Sequence, residues 1–280
     1  MNHIPYGKQD IDQHDIDSVV EVLRSDFLTQ GPKVPDFEKS LISVTGAKYA
    51  IAANSATSAL HISCMALELG PGDILWTSPI TFVASSNCGL YCGAEVDFVD
   101  IDPKTYNMCP KKLEEKLIQA KAHNKLPKIL VVVHLSGQSC DMQSINNLSK
   151  KYGFKIIEDA SQGIGGLYKD FMIGGCQYSD IVVFSFHPVK IITTAEGGAA
   201  LTNDSKIATK LELLRSHGIT RDKNLMESKP DGDWYYQQLE LGYNYRMTDL
   251  QAALGISQIN RLNDFVESRH KLASRYNELL

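Results

Sequence analysis

The chain has 280 residues, of which 43% are hydrophobic, and it carries a formal net charge of -5 with acidic and basic residues interspersed. This length predicts about two domains with enough apolar residues for a large core, and the absence of a basic stripe argues against nucleic acid as a partner. No apolar run approaches the ~18 residues of a membrane span, and the first residues lack a signal-peptide core, so we expect a cytoplasmic protein that does not bind membranes.

Helix and strand patterns alternate along the chain. Helical patterns cover residues 15–23, 35–44, 111–124 and 142–152, and strand patterns cover 74–77, 94–99, 129–133, 155–157 and 180–186. This alternation predicts an α/β fold with a mainly parallel sheet and helices on both faces. A continuous helix is predicted over residues 248–280. We expect a large domain over residues 1–250 and the helical start of a second, smaller and incomplete domain over residues 251–280.

The cysteines give no metal-binding pattern. All six stand without paired C-x-x-C spacing, which predicts reduced and mostly buried thiols. Cys88 and Cys92 lie four residues apart on a predicted helix, but no further Cys or His pair lies nearby, so we predict no zinc site.

Residues 49–61 have the pattern of a phosphate-binding turn. A strand of small residues at 49–53 meets a Ser/Thr-rich turn at 54–58, and a helical pattern follows. A helix N-terminus gathers free N–H groups and hydroxyls and binds phosphate well. The alternative is that Ser55 or Thr57 is an ordinary N-cap.

Two charged residues follow apolar strands further along the chain. Asp159 ends the strand pattern at 154–157, and ligands bind at the carboxyl ends of strands in open α/β sheets. Lys190 stands between the strand at 180–186 and a Gly-rich return, where its amine would be buried and available for Schiff-base chemistry. Alternatively, Asp159 caps a helix and Lys190 is a surface charge.

The three segments together specify one ligand. A phosphate site, an anionic partner for a ring nitrogen and an amine that can bond to an aldehyde match pyridoxal 5'-phosphate (PLP). Nothing in this chemistry requires a metal.

At these residues the chain resembles the DegT family of sugar-nucleotide aminotransferases, from about residue 6 to its last residue. The matching stretches are at residues 27–32, 54–60, 78–84, 158–162, 184–190, 193–198, 215–218 and 241–247. The resemblance implies the type I fold of PLP-dependent transferases, which is similar to that of aspartate aminotransferase. It also implies a homodimer with a shared active site.

The resemblance implies a role for each matching residue. Lys190 would form the Schiff base and act as the acid–base group, and Asp159 would bond to the protonated pyridine nitrogen. Phe82 would stack on the ring, although without the family it could equally be a core residue. Gln162 would lie near the other ring face or the phenolic oxygen, at a position where many members of the most similar branch have His.

Other roles concern the phosphate and the sugar nucleotide. The phosphate would be held by Ala56, Thr57 and Ser185, with Asn244 reaching it from the neighbouring subunit. Contacts with the substrate would come from Tyr6, Gln30 and His187. We also predict that the polar, aromatic stretch at 217–239 lines the nucleotide site, because long irregular loops are often functional.

Within the family, the phosphate turn and residues 193–198 resemble the pseudaminic acid branch. This branch implies transamination at C4 of a UDP-4-keto-6-deoxy-N-acetylhexosamine, with L-glutamate as the donor. Three alternatives remain. One is a C4 or C3 aminotransferase for another nucleotide ketosugar, and another is a PLP-binding fragment without turnover, since family members generally continue into a further small domain. The third is a dehydratase, which the presence of Lys190 opposes.

Overall fold

A computed structural model describes Pro5 and residues 7–280. The helices are α1 (Gln13–Leu23), α2 (Lys33–Thr45), α3 (Ala56–Ala66), α4 (Ala84–Tyr91), α5 (Pro110–Ala122), α6 (Met142–Tyr152), α7 (Ser205–Arg215), α8 (Asp249–Ile259) and α9 (Leu262–Leu279). The strands are β1 (Tyr49–Ala53), β2 (Ile74–Thr77), β3 (Glu95–Phe98), β4 (Ile129–Val133), β5 (Lys155–Asp159), β6 (Leu167–Tyr168), β7 (Phe171–Met172), β8 (Ile181–Ser185), β9 (Gly198–Thr202), β10 (Ile219–Thr220) and β11 (Gln237–Gln238).

Seven strands form the central sheet, in the order β1-β9-β8-β5-β4-β2-β3. The pairs from β8 to β3 are all parallel, whereas β9 runs antiparallel to both β1 and β8. The predicted α/β fold with a mainly parallel sheet is confirmed.

Helices cover both faces of this sheet. Along β4, Ile129 and Val131 belong to the apolar cluster that includes α3 residues, while Leu130 and Val132 belong to the cluster that includes α5 and α6 residues. Side chains of a strand alternate between its two faces, so a strand buried on both sides has a continuous apolar sequence. A third cluster joins β8 and β9 to α2 and α8.

The predicted single helix over residues 248–280 is two helices. α8 ends at Ile259, and α9 begins at Leu262 after a turn. Arg261 makes this turn and directs its guanidinium to Asp10 (3.0 Å) and to the buried carboxylate of Asp15 (2.6 Å). The predicted domain boundary after residue 250 falls within α8 and stays a prediction.

Within the described part of the chain, no helix is both long and apolar enough to cross a membrane.

Candidate active site

A cavity of about 470 Å³ lies where the N-terminus of α3 meets the carboxyl ends of β4, β5 and β8. The predicted site residues that line it are Ala56, Thr57, Phe82, Asp159, Gln162, Ser185, His187 and Lys190. Three segments that are distant in sequence therefore meet at one edge of the sheet, which is where open α/β sheets bind ligands.

The first turn of α3 offers N–H groups to this cavity. Ser55 is the N-cap, and its hydroxyl accepts from the Ser58 N–H (3.0 Å). The first backbone bond within the turn runs from the Ala59 N–H to the Ser55 carbonyl (3.0 Å). Ala56 and Thr57 precede this bond, so their N–H groups stand at the positive end of the helix dipole. This arrangement suits an anion such as phosphate.

Strand β9 passes very close behind this turn. A Cβ atom placed on Gly198 would lie 2.4 Å from the Ala56 nitrogen. Only glycine permits such an approach, so Gly198 fixes the position of the turn against the sheet.

The Asp159 carboxylate is buried at the end of β5 and is held by donors on both oxygens. Ser85 Oγ donates to Oδ2 (2.6 Å), and Ser161 donates to Oδ1 through its hydroxyl (2.6 Å) and its N–H (3.2 Å). These bonds fix the orientation of the carboxylate. Sequence reasoning missed both serines. The Asp-x-Ser spacing of a local turn could have suggested Ser161, but Ser85 lies 74 residues away and gives no such signal.

Lys190 is half-buried in the same cavity. Burial lowers the pKa of its amine, and the opposing charge of Asp159 offsets only part of this effect. A lowered pKa leaves more of the amine neutral near neutral pH, which is the form that attacks a carbonyl.

Phe82 lies on the cavity wall with 75% of its surface exposed. A core position is therefore excluded. An exposed aromatic face at the wall of a cavity is suited to stacking on a planar ligand. Gln162, also exposed at the wall, has its amide oxygen bonded to the Ser136 N–H (2.6 Å).

Other predicted residues lie apart from this cavity. Among the described residues, Gln30 and Asn244 are exposed and do not line it. The Asn244 carbonyl lies 3.5 Å from Nδ2 of Asn54, the first residue of the phosphate turn. Tyr6 lies outside the described residues.

The stretch at 217–239 forms the short hairpin of β10 and β11 with an irregular connection. No residue of this stretch lines the cavity within the described part of the chain, and this includes its charged and aromatic residues Arg221, Lys223, Lys229 and Trp234. Among the ionisable residues at the wall, sequence reasoning missed His134 and Glu196.

A profile of the DegT/DnrJ/EryC1/StrS aminotransferase family matches residues 9–280. The chain belongs to this family. A curated relative from Campylobacter jejuni, UDP-4-amino-4,6-dideoxy-N-acetyl-beta-L-altrosamine transaminase, is 42% identical over 275 residues, which are 98% of this chain and 69% of the relative. The DegT-family assignment confirms the prediction made from the motifs.

Solved structures agree with this assignment. PseC of Helicobacter pylori, an aminotransferase involved in the biosynthesis of pseudoaminic acid, superposes with a TM-score of 0.89 at 34% identity, covering 99% of this chain and 70% of PseC. A putative sugar aminotransferase from Streptococcus pneumoniae in its PLP-form gives a TM-score of 0.85 at 29% identity, covering 99% of this chain and 71% of that protein. The chain is a PLP-dependent sugar aminotransferase of the DegT family.

The polar groups that line the cavity fit PLP. The α3 N-terminus offers N–H groups to a phosphate, Asp159 offers an oriented carboxylate to a ring nitrogen, and Lys190 offers a half-buried amine to an aldehyde. Each group has the charge and the polarity that the corresponding part of the cofactor requires.

Proposed function

We propose that this protein transfers the amino group of L-glutamate to C4 of a UDP-4-keto-6-deoxy-N-acetylhexosamine, with PLP as the cofactor. The observation that carries the proposal is the meeting of Lys190, Asp159 and the α3 N-terminus in one cavity. The choice of sugar is supported by the 42% identity to the C. jejuni transaminase.

When bound, PLP supplies an electron-accepting ring that stabilises negative charge at the carbon next to the transferred nitrogen. Asp159 would hold the proton on the ring nitrogen, and its bonds to Ser85 and Ser161 keep the carboxylate in place for this task. Lys190 Nζ would take the proton from Cα of glutamate and return a proton to C4 of the sugar. Within each half of the reaction this amine would act first as a base and then as an acid.

The remaining side chains would bind and orient the cofactor and the substrate. The Ala56 and Thr57 N–H groups and the Ser185 hydroxyl would hold the phosphate. Phe82 and Gln162 would contact the ring region, while His187, Gln30 and Tyr6 would contact the sugar nucleotide.

We further propose a homodimer in which Asn244 completes the phosphate site of the partner subunit. Asn244 is exposed and lies outside the cavity lining among the described residues. It is therefore free to act on a second copy of the chain.

Absorbance of the PLP-loaded protein tests the reaction in two steps. A band at about 410–430 nm reports PLP bonded to a lysine amine. We expect glutamate to bleach the band and the UDP-4-ketosugar to restore it. Lys190→Ala should lack the band, whereas Lys39→Ala, which changes an exposed lysine paired with Asp36, should retain it.

A panel of ketosugar nucleotides then tests the substrate. Faster recovery with a 3-keto isomer, or with a sugar of different configuration, would replace the proposed substrate. Bound PLP that glutamate does not bleach would contradict turnover by this chain.

A further inference from the structure

The loop at residues 134–140, here called the His134 loop, packs directly against Gln162. Ser136 has a positive φ of 56° and Gly137 one of 87°. A Cβ atom on Gly137 would lie 2.5 Å from the Gln162 carbonyl oxygen. Ser136 donates its N–H to Gln162 Oε1 (2.6 Å), so the loop contacts both the backbone and the side chain of Gln162.

A buried pair of side chains anchors the start of this loop. His134 Nε2 lies 2.6 Å from Glu158 Oε2, and the Ser179 hydroxyl donates to the other Glu158 oxygen (2.5 Å). The His134 N–H donates to the Asp159 carbonyl (3.1 Å). A carboxylate oxygen accepts, so the His134 Nε2–H donates to Glu158, and the Cys140 nitrogen lies 3.3 Å from Nδ1 on the other side of the ring.

Asn107 anchors the rest of the loop from a different part of the chain. Its amide oxygen accepts from the Leu135 N–H (3.1 Å), and its nitrogen donates to the carbonyls of Gln138 (2.9 Å) and Ser139 (3.3 Å). Asn107 is 4% exposed, and it is not among the described residues that line the cavity. Any influence of Asn107 on a ligand must therefore pass through the loop.

The orientation of the Gln162 amide follows from this loop. A backbone N–H can only donate, so the Gln162 atom that meets Ser136 must be the oxygen. The Gln162 NH2 group is then the end that remains for a ligand. We propose that Asn107 and the His134–Glu158 pair are positioning residues that hold the His134 loop in place. Through the Ser136 N–H, the loop then orients Gln162 so that its NH2 group donates to an anionic oxygen of the bound cofactor. This inference rests on the proposed function, in which the cofactor is PLP.

A double-mutant cycle on PLP affinity tests the coupling. Asn107→Asp keeps the acceptor for the Leu135 N–H but loses both donated bonds, and Gln162→Leu removes the amide. We expect each variant to weaken PLP binding about tenfold, which corresponds to about 1.4 kcal/mol. The double variant should bind no more weakly than Gln162→Leu alone, because Asn107 acts only through Gln162. Losses that multiply would overturn the proposal.

Two further variants make the test independent of folding. Asn147→Asp makes the same change as Asn107→Asp at an exposed position, where the side chain accepts from Gln143 Nε2 (3.2 Å), so PLP affinity should not change. Gln162→Glu, at an exposed position, still accepts from Ser136 but presents a carboxylate oxygen in place of the NH2 group. It should weaken PLP binding more than Gln162→Leu does, and an unchanged or tighter affinity would overturn the donor assignment.

The wild-type protein separates this inference from the proposed function. If it binds no PLP, both fail. If it binds PLP and the cycle shows no coupling, only the positioning role of Asn107 fails.

Discussion

Asp159 is oriented by two serines that donate hydrogen bonds to its buried carboxylate. Ser85 is fully buried and donates to Oδ2, while Thr81 lies within hydrogen-bond distance (2.8 Å) of the same Ser85 hydroxyl. Hydrogen bonds to charged groups contribute about 1.5–3 kcal/mol. We expect Ser85→Ala to lower the free energy of unfolding by this amount and to weaken PLP binding, because the carboxylate loses a donor.

Urea unfolding and PLP titration measure these two effects. Ser86→Ala is the matched control, since the Ser86 hydroxyl donates to the Val83 carbonyl one turn earlier (3.0 Å) and has no other partner among the described residues. Its free energy of unfolding should stay within about 0.5 kcal/mol of the wild type. Equal effects from both variants would show that Ser85 does not support Asp159.

His134 predicts a pH dependence of stability. Burial lowers its pKa, but hydrogen bonds with Cys140 and Glu158 and the charge of Glu158 outweigh burial and raise the pKa from 6.5 to about 10. The folded protein therefore holds this proton more tightly than the unfolded chain. The resulting stabilisation is fully present below pH 6.5 and is lost as the pH rises through about 10.

Urea unfolding between pH 6.5 and 10 tests this dependence. In the wild type, the free energy of unfolding should fall with pH by at most about 1.4 kcal/mol per pH unit, the limit for one proton. Glu158→Gln should make this decline smaller. His123→Gln, at an exposed position, should leave the slope as in the wild type. A Glu158→Gln slope identical to that of the wild type would contradict the role of the pair.

At the scale of elements, the contact between β9 and the N-terminus of α3 sets the phosphate site. In Gly198→Ala the new methyl group would meet the backbone of Ser55 and Ala56, which cannot move without displacing the turn. Overpacking of this kind costs about 1–3 kcal/mol. We expect Gly198→Ala to weaken the binding of PLP more than the binding of pyridoxal, which lacks the phosphate.

Gly70→Ala is the control for this substitution. A Cβ atom at Gly70 meets nothing within 4 Å, and its φ is not positive. Both ligands should bind to it as they bind to the wild type. If Gly198→Ala weakens PLP and pyridoxal equally, β9 does not act through the phosphate turn.

The central strands could be predicted from the sequence because a strand that is buried on both faces is a continuous apolar run, as at 129–133. β9 gave no such signal. It begins with three small residues, Gly198, Ala199 and Ala200, which lack the apolar bulk of a typical buried strand although all of β9 is buried. The break before α9 was missed because the apolar period continues across it, while the turn is made by Arg261 and its distant partner Asp15. Ser85 was missed for the same reason: its role depends on a contact with a residue far along the chain.

For the whole molecule, the proposed homodimer predicts that two defective chains can complement each other. Lys190→Ala removes the amine within one subunit, and Asn244→Ala removes the proposed phosphate contact to the partner. In a mixed dimer, the site that retains Lys190 is completed by the intact Asn244 of the Lys190→Ala chain. The other site carries both defects.

The band near 410–430 nm, measured at a limiting PLP concentration, counts the restored sites. Random mixing of equal amounts makes about half of the dimers mixed, each with one intact site, so about a quarter of all sites should bind PLP as the wild type does. If Asn244 instead serves its own subunit, no mixed site is intact, and the band should equal the average of the two parent dimers. The first outcome is favoured because Asn244 is exposed and, among the described residues, does not line the cavity of its own subunit, which leaves its side chain accessible to a second copy of the chain.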